Sequence, residues 1–394
     1  MTAGIIVDVI LVVILLVAVI GGWQRGMLHT IGAIAGMIVG GIVALLVMPL
    51  VSGNVPAAGW NVVLAVACGI ILVGLGISLG SWLGKLIAGP VRKIKLGIVD
   101  RLLGAVVSGI VALLVVMTLG MSTSTLGLPT LTQAMASSTL LKTLENATPT
   151  PVLGAISQFR SLVITDGIPS VLDAAGIPDN IEIPDANTDS PALHAAAQSV
   201  TRITANAPAC GTRSAGSGFV IDDGLVMTNA HVVAGASDVV VETPGELPRA
   251  GSVVYFDADA DIAVIDVDGL GAEPLPFNPT PDAGATVFFQ GYPFGGPFVS
   301  RSAAVVNTGD MTVSSIYGEP GVTRSVTTLA AHVQHGNSGG PLLDKNGAVV
   351  GMIFAKADNQ PDVGFALSMA ELSPVLAQAG SFSSPVSTES CSTS

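Results

Sequence analysis

Ser338 stands in the string Gly336-Asn337-Ser338-Gly339-Gly340-Pro341. A serine set between glycines on a tight turn can present its hydroxyl clear of neighbouring side chains. That hydroxyl is a poor nucleophile near neutral pH, so it needs a base to take its proton and a carboxylate to hold the base in the right tautomer. Two upstream strings offer these groups: Thr228-Asn229-Ala230-His231-Val232-Val233, and Asp261-Ile262-Ala263-Val264-Ile265 at the head of an apolar run. The chemistry implied is acyl transfer, in which Ser338 attacks a peptide carbonyl, His231 takes and returns the proton, and Asp261 orients the imidazole. The backbone N–H groups of Gly336 and Ser338, with Asn337 between them, are the expected oxyanion hole. Asp257, Asp259, Asp266 and Asp268 compete for the carboxylate role, but only Asp261 directly precedes the apolar strand. Taken singly, Ser338 is equally a turn serine and His231 a core histidine; the ordered set is what carries the reading.

The order His231, Asp261, Ser338 separates this chain from subtilisin-like and α/β-hydrolase arrangements and selects a chymotrypsin-like fold. The elements that must position the three residues fit that choice. From about Ala196 the pattern turns to short β-rich runs: Val200–Thr204, Gly216–Ile221, Leu225–Thr228, Asp238–Val241, Gly251–Asp257, Ile262–Val267, Thr286–Gln290, Arg301–Thr308, Thr323–Leu329, Pro341–Leu343, Val349–Ala355 and Val363–Leu367. Twelve short strands without long helices predict an all-β pair of antiparallel barrels, closed by a helix over Met369–Ala379.

Ser217-Gly218-Phe219-Val220-Ile221, Val226-Met227-Thr228-Asn229-Ala230-His231, Asp261-Ile262-Ala263-Val264, Gly336–Pro341 and Gly364-Phe365-Ala366-Leu367 together resemble the trypsin-like peptidases of the bacterial HtrA type. The resemblance covers most of residues 196–380 and implies a serine endopeptidase that needs neither cofactor nor metal. Trypsin-like enzymes place the base of the primary specificity pocket six residues before the nucleophile, which is His332 here; His335 stands three before. A histidine at the pocket base would make cleavage pH-dependent, against the plainer alternative of a loop histidine. Ile353, Phe354 and Ala355, on the strand expected to flank the pocket, imply a preference for apolar or small residues. The chain ends about 15 residues after the closing helix, without room for the peptide-binding PDZ domain that HtrA enzymes usually append.

Half of the 394 residues are hydrophobic and only 11% are charged, outside the range of soluble chains. The excess lies in residues 1–121, which hold two acids (Asp8, Asp100) and six bases (Arg25, Lys85, Arg92, Lys93, Lys95, Arg101); the remainder holds nine bases and 26 acids, a net of −17. That acidity argues against nucleic acid as a partner. Four apolar segments, roughly Gly4–Trp23, Met27–Pro49, Trp60–Ala88 and Leu102–Met121, are long enough to cross a bilayer, which takes about 20 residues each. The first lacks a basic leader and a small-residue cleavage site, so it reads as a retained span and not as a signal peptide. All six bases fall between spans one and two or at and between spans three and four. The positive-inside rule then places both the N-terminus and everything after Met121 outside the cytoplasm. Glycine recurs at every fourth position in span two (Gly32, Gly36, Gly40) and span three (Gly76, Gly80, Gly84), the spacing of closely packed helices. Asp8 lies about one turn from the outer end, where water can reach it.

Asp8-Val9-Ile10, Gly22-Trp23-Gln24-Arg25-Gly26 and Asp100-Arg101-Leu102-Leu103-Gly104 resemble the colicin V production family of bacterial membrane proteins over residues 1 to about 121. Residues 122–195 form a proline-punctuated extracytoplasmic connector with short helical patterns near Leu131–Glu145, Val152–Val163 and Pro169–Ala175, and are a possible site of self-processing. Residues 196–394 are the peptidase domain. Cys210 stands just before the Gly216–Ile221 strand of the peptidase and Cys391 near the C-terminus, so their economical pairing is a disulfide around the catalytic domain; the alternative is two unpaired thiols. Cys68 lies inside span three. As a whole the chain resembles the acid-resistance periplasmic serine proteases of mycobacteria and their actinobacterial relatives. That resemblance implies processing of cell-envelope proteins under acid and oxidative stress. The alternative is a membrane transporter or scaffold whose protease-like domain serves as a binding module.

Overall fold

The computed structural model describes residues 2–53, 60–92, 97–122, 135, 137–148, 152, 170–171, 182–207, 210, 212–319, 321–357 and 360–392. The chain divides into two units, essentially Ile5–Met117 and Thr118–Ser394.

The first unit is helical: α1 (Thr2–Arg25), α2 (Met27–Gly53), α3 (Trp60–Arg92) and α4 (Gly97–Ser122). Four helices stand where four spans are expected. Three contain stretches long and apolar enough to cross a membrane, Gly4–Arg25, Met27–Ala44 and Ile98–Met117; the apolar stretch described for α3 is the shorter Ile71–Leu86. Along α1, Ile5, Val9, Val13, Leu16 and Ile20 are all exposed. A helix apolar on every side is at rest in hydrocarbon and not in water.

The glycine spacing is explained by the α2–α3 seam. A Cβ at Gly36 would stand 2.8 Å from the carbonyl carbon of Gly76 and 3.0 Å from Gly80 Cα, while one at Gly80 would stand 2.8 Å from Gly36 Cα. The two backbones therefore touch, and dispersion between them replaces the hydrophobic drive that lipid cannot supply. His29 is buried in the same helix pair, with Nδ1 3.0 Å from Ser81 O. The Gly22–Gly26 and Asp100–Gly104 strings meet each other. A Cβ at Gly104 would lie 2.8 Å from Met27 N, and Asp100 Oδ1 accepts the N–H groups of Met27 (3.0 Å) and Leu28 (3.4 Å). Asp100 thus caps the start of α2 from α4, satisfying donors that the helix itself leaves open.

In the connector, α5 (Thr139–Ala147) overlaps the first expected helical pattern. The Val152–Val163 pattern lies, apart from Val152, outside the described residues. Of the Pro169–Ala175 pattern the described residues are Ser170–Val171, and these form not a helix but a strand, β1, parallel to Lys356 and Ala357. A single turn of helix is costly to nucleate, whereas a sheet edge offers ready partners for the backbone.

All twelve expected strands of the peptidase are present. β2 (Val200–Ala207), β3 (Thr212–Asp222), β4 (Leu225–Thr228), β5 (Asp238–Glu242), β6 (Arg249–Asp257) and β7 (Ile262–Asp266) close a barrel in the order β2-β3-β4-β7-β6-β5. β8 (Thr286–Gly291), β9 (Val299–Val313), β10 (Val322–Ala330), β11 (Pro341–Leu343), β12 (Val349–Ala357) and β13 (Val363–Ser368) run β12-β11-β8-β9-β10-β13, with β12 pairing back onto β13. Short helices α6 (Pro191–Ala197), α7 (Ala230–Val233) and α8 (Met369–Leu376) complete the unit. α6 and α8 begin on serines whose hydroxyls accept a first-turn N–H, Ser190 from Leu193 and Ser368 from Ala370.

Each barrel has its own interior, one around Ile203, Val226, Val241 and Ile265, the other around Phe289, Val305, Leu329 and Ile353. A third cluster joins them: Phe219, Met227 and Val264 of the first barrel pack with Val326, Leu343, Phe354 and Phe365 of the second. Burying each such large side chain contributes roughly 1.5–3 kcal/mol, so the seam between the barrels is as firmly held as their interiors. The C-terminal tail crosses back over the first barrel. Gly235 N–H donates to Thr388 O (2.9 Å), Thr388 Oγ1 donates to Ala236 O (3.0 Å), and Cys391 is bonded to Cys210 at 2.04 Å, 181 residues apart.

Two outcomes follow. Replacing Cys210 by Ser frees the tail and should lower the unfolding free energy of the peptidase by about 2–5 kcal/mol, read from denaturant titrations with and without reductant. Gly36→Leu forces α2 and α3 apart and should cost about 1–3 kcal/mol or more, read as a lowered thermal-aggregation midpoint of the detergent-solubilised chain, whereas substitution at Gly41, which faces nothing within 4 Å, should leave it unchanged.

Candidate active site

β4 runs out into Asn229 and the single turn α7, which carries His231, 6% exposed. Asp261 ends the turn between β6 and β7, is fully buried, and holds φ at +57°. That left-handed conformation is uncommon outside glycine, with aspartate and asparagine the frequent exceptions. The partners that hold it there are explicit. Asp261 Oδ1 accepts the backbone N–H of His231 at 2.9 Å, and Asn229 Nδ2 donates to Asp261 O at 2.9 Å. Nδ1 of His231 lies 3.0 Å from Oδ1 and 2.9 Å from Oδ2 of the same carboxylate. A ring nitrogen facing a carboxylate at this distance carries the proton, which leaves Nε2 as the basic lone pair.

The Ser338 loop is tied to the first barrel through Ser217, a buried hydroxyl in the middle of β3. Ser217 N–H donates to Ser338 O (2.8 Å), its Oγ donates to Gly336 O (2.7 Å) and accepts Tyr292 N–H (2.9 Å), and its carbonyl accepts Thr228 Oγ1 (2.8 Å). On the other side Gly339 N–H donates to Ile353 O (2.8 Å) and Ile353 N–H to Gly340 O (2.9 Å). Gly336 has φ +88°, and a Cβ there would stand 2.7 Å from Phe294 N. Only glycine fits both the torsion and the space.

This brings the two halves together. A Cβ at Gly216 would touch Val232 at 2.7 Å and Ser338 O at 3.2 Å, and one at Gly339 would stand 3.1 Å from Asn229 N. Within this enclosure Ser338 Oγ and His231 Nε2 are buried, and neither has a hydrogen-bond partner among the described residues. Gly336 and Ser338 N–H likewise donate to no described backbone acceptor, while Asn337 N–H between them is spent on Gln334 O at 3.0 Å. The Ser338 hydroxyl and the His231 Nε2 lone pair are thus buried and unsatisfied among the described residues, and such groups are costly enough to be rare without a use. Catalytic hydrogen bonds are often long before substrate arrives and tighten in its presence.

The residues expected at the specificity pocket are distributed differently. His332 is half-exposed, its Nδ1 3.6 Å from Asp362 Oδ1 and its Nε2 3.4 Å from Gln334 Nε2. Ile353, Phe354 and Ala355 are all fully buried: Ile353 fills the second barrel, and Phe354 and Ala355 the seam. This stretch of β12 therefore offers its backbone and not its side chains at the surface. His335 gives its carbonyl to Phe294 N–H at 2.6 Å. Outside the triad, Tyr255 is pushed up to about 12 by burial and then by the neighbouring Asp257 carboxylate, to which its hydroxyl donates at 3.2 Å. No cluster of metal-ligating side chains occurs among the described residues. Sequence reasoning gave no role to Ser217 or Asn229. Their signal was a polar residue in an apolar strand and one at a strand end, each of which must find a partner when buried.

Residues 216–352 match the trypsin-like peptidase domain and residues 7–149 the Colicin V production protein. Over 390 residues the chain is 33% identical to serine protease Rv3671c of Mycobacterium tuberculosis, with 98% of each chain aligned. It is 34% identical over 163 residues to Protease Do-like 1, chloroplastic, of Arabidopsis thaliana, across 39% of this chain and 37% of that one. The crystal structure of the Rv3671c protease in its active form is similar at 37% identity and a TM-score of 0.53, covering 57% of this chain and 100% of that one. Because the alignment runs through both the helical and the double-barrel units, the chain belongs to the family of trypsin-like serine proteases with an N-terminal Colicin V production domain that includes Rv3671c of M. tuberculosis.

Proposed function

We propose that this serine protease is a membrane-anchored endopeptidase that cleaves cell-envelope proteins outside the cytoplasm. The observation that carries the reading is the buried His231–Asp261 pair, whose remaining ring nitrogen and the Ser338 hydroxyl are both unpartnered. Ser338 attacks the peptide carbonyl as His231 Nε2 takes its proton. Asp261 keeps Nδ1 protonated and stabilises the imidazolium that forms. The oxygen of the tetrahedral intermediate is received by Gly336 and Ser338 N–H, donors already in place, each worth about 10²–10³ in rate. His231 then passes the proton to the leaving amine, and water repeats the sequence on the acyl-enzyme.

The exterior placement is supported by the six bases grouped on one side of the spans and by the Cys210–Cys391 disulfide, which suits an oxidising compartment. The same clamp supports a role under acid and oxidative stress, when an exposed peptidase must stay folded. Six residues before Ser338 stands His332 and no aspartate, which argues against selection of a basic side chain next to the cleaved bond. Residues 122–195 are a candidate segment for self-processing.

Ser338→Ala should abolish labelling by a fluorophosphonate probe, and undiminished labelling would sink the assignment. Asp261→Asn should lower turnover by about 10⁴-fold, because the wrong tautomer is then held. Mass spectrometry of envelope proteins from cells with wild-type or Ser338→Ala chain, at neutral and acidic pH, should reveal fragments only in the former. Full rescue of a deletion strain by Ser338→Ala would favour a transporter or scaffold role for the helices instead.

A further inference from the structure

Arg324 is buried as deeply as any aromatic side chain, 2% exposed, in the seam between the barrels. It projects from β10 of the second barrel, yet its hydrogen bonds go to the turn of the first barrel that ends in Asp261. Nε donates to Asp259 O at 2.6 Å, Nη2 donates to Ala258 O at 3.3 Å, and Nη1 stands 3.9 Å from Asp261 Oδ2. The guanidinium carbon lies 5.8 Å from the centre of the Phe354 ring. A guanidinium stays charged at every pH at which a protein folds, so burying one is unfavourable unless a counter-charge and carbonyls meet it. Among the described residues, the carboxylate that meets this one is that of Asp261.

Two consequences follow from the geometry. The planar fork fixes the carbonyls of residues 258 and 259 from outside the turn, while Asp257 Oδ1 fixes the N–H groups of Asp259 (3.0 Å) and Ala260 (2.9 Å) from inside it. Between them they hold the chain where Asp261 must adopt its positive φ. The second consequence is electrostatic: the guanidinium and the Asp261 carboxylate are each buried and each supplies the other's counter-charge. Other charged groups nearby are engaged elsewhere. Asp257 Oδ2 takes the Tyr255 hydroxyl, Glu371 of α8 takes Ser325 N–H at 2.7 Å, and Asp259 is exposed.

We propose that Arg324 is a positioning residue for proteolysis. It docks the Asp261 turn from the opposite barrel, and its charge offsets that of the buried carboxylate on which the His231 ring is oriented. This rests on His231 serving Ser338 as its base.

The test measures fluorophosphonate labelling of Ser338 at neutral pH, separating probe affinity from the maximal labelling rate, in the full-length chain in detergent, for wild type, Arg324→Met and Arg324→Lys. Arg324→Met should slow the maximal rate by about 10-fold or more while probe affinity stays within about 2-fold. Arg324→Lys keeps the charge but cannot hold both carbonyls, so its rate should fall between the two. An Arg324→Met chain with an intact unfolding transition and a wild-type maximal rate overturns the proposal. So does an Arg324→Met chain whose slower labelling comes entirely from weaker probe affinity. Should Arg324→Met fail to fold, Arg324→Lys decides: a wild-type labelling rate overturns the positioning role. Residual labelling of Ser338→Ala would count against the site assignment and not against Arg324, which separates the two failures.

Discussion

The buried carboxylate of Asp261 is the interaction on which the rest of the peptidase depends. A fully buried anion needs hydrogen bonds and a compensating charge, or it would take up a proton and lose its purpose. The Asp261 carboxylate obtains them from two directions, the His231 ring and backbone on α7 and the Arg324 guanidinium from the second barrel, while the Asn229 side chain at the end of β4 holds its backbone carbonyl. Its backbone is held at φ +57° by the same neighbours. Each donor belongs to a different element, so the carboxylate can be satisfied only when both barrels are closed and docked. The site is thereby a reporter of complete folding.

The nucleophile side obeys a similar logic with neutral groups. Ser217 uses its N–H, its carbonyl and its hydroxyl on the Ser338 loop, Thr228 and Tyr292, so a residue of the first barrel sets the backbone of a loop that belongs to the second. Among the described residues the Ser338 hydroxyl is left without a hydrogen-bond partner, and no described backbone acceptor takes the Gly336 or Ser338 N–H. Under the proposed mechanism these are the groups that meet the substrate, held by a frame that needs no rearrangement as charge develops.

The membrane unit solves a different problem with the same economy. In lipid, apolar side chains gain nothing by meeting each other, so α2 and α3 associate by backbone contact along Gly32–Gly40 and Gly76–Gly84, and α4 caps α2 through Asp100. The glycine spacing was legible as close helix packing, whereas the Asp100–Gly104 string carried only a family resemblance and turns out to be a cap and a close contact. The connector was least legible: within its helical pattern at Pro169–Ala175, Ser170–Val171 joins a sheet edge that local sequence does not reveal.

By itself the sequence determined the strand pattern, the order of the three triad residues and the apolar helices. These depend on side-chain periodicity and chain order, both local properties. It also placed glycine at 336, where the torsion admits little else. Tertiary structure decided what no local pattern encodes. Arg324 reads in sequence as an ordinary charge in a β-strand, and becomes a buried partner of Asp261 only because the barrels dock. Ile353 and Phe354 read as pocket walls, and turn inward because each barrel and the seam need filling. Long-range partnership of this kind is set by which surfaces meet, and two surfaces separated by more than 60 residues meet only in the folded chain.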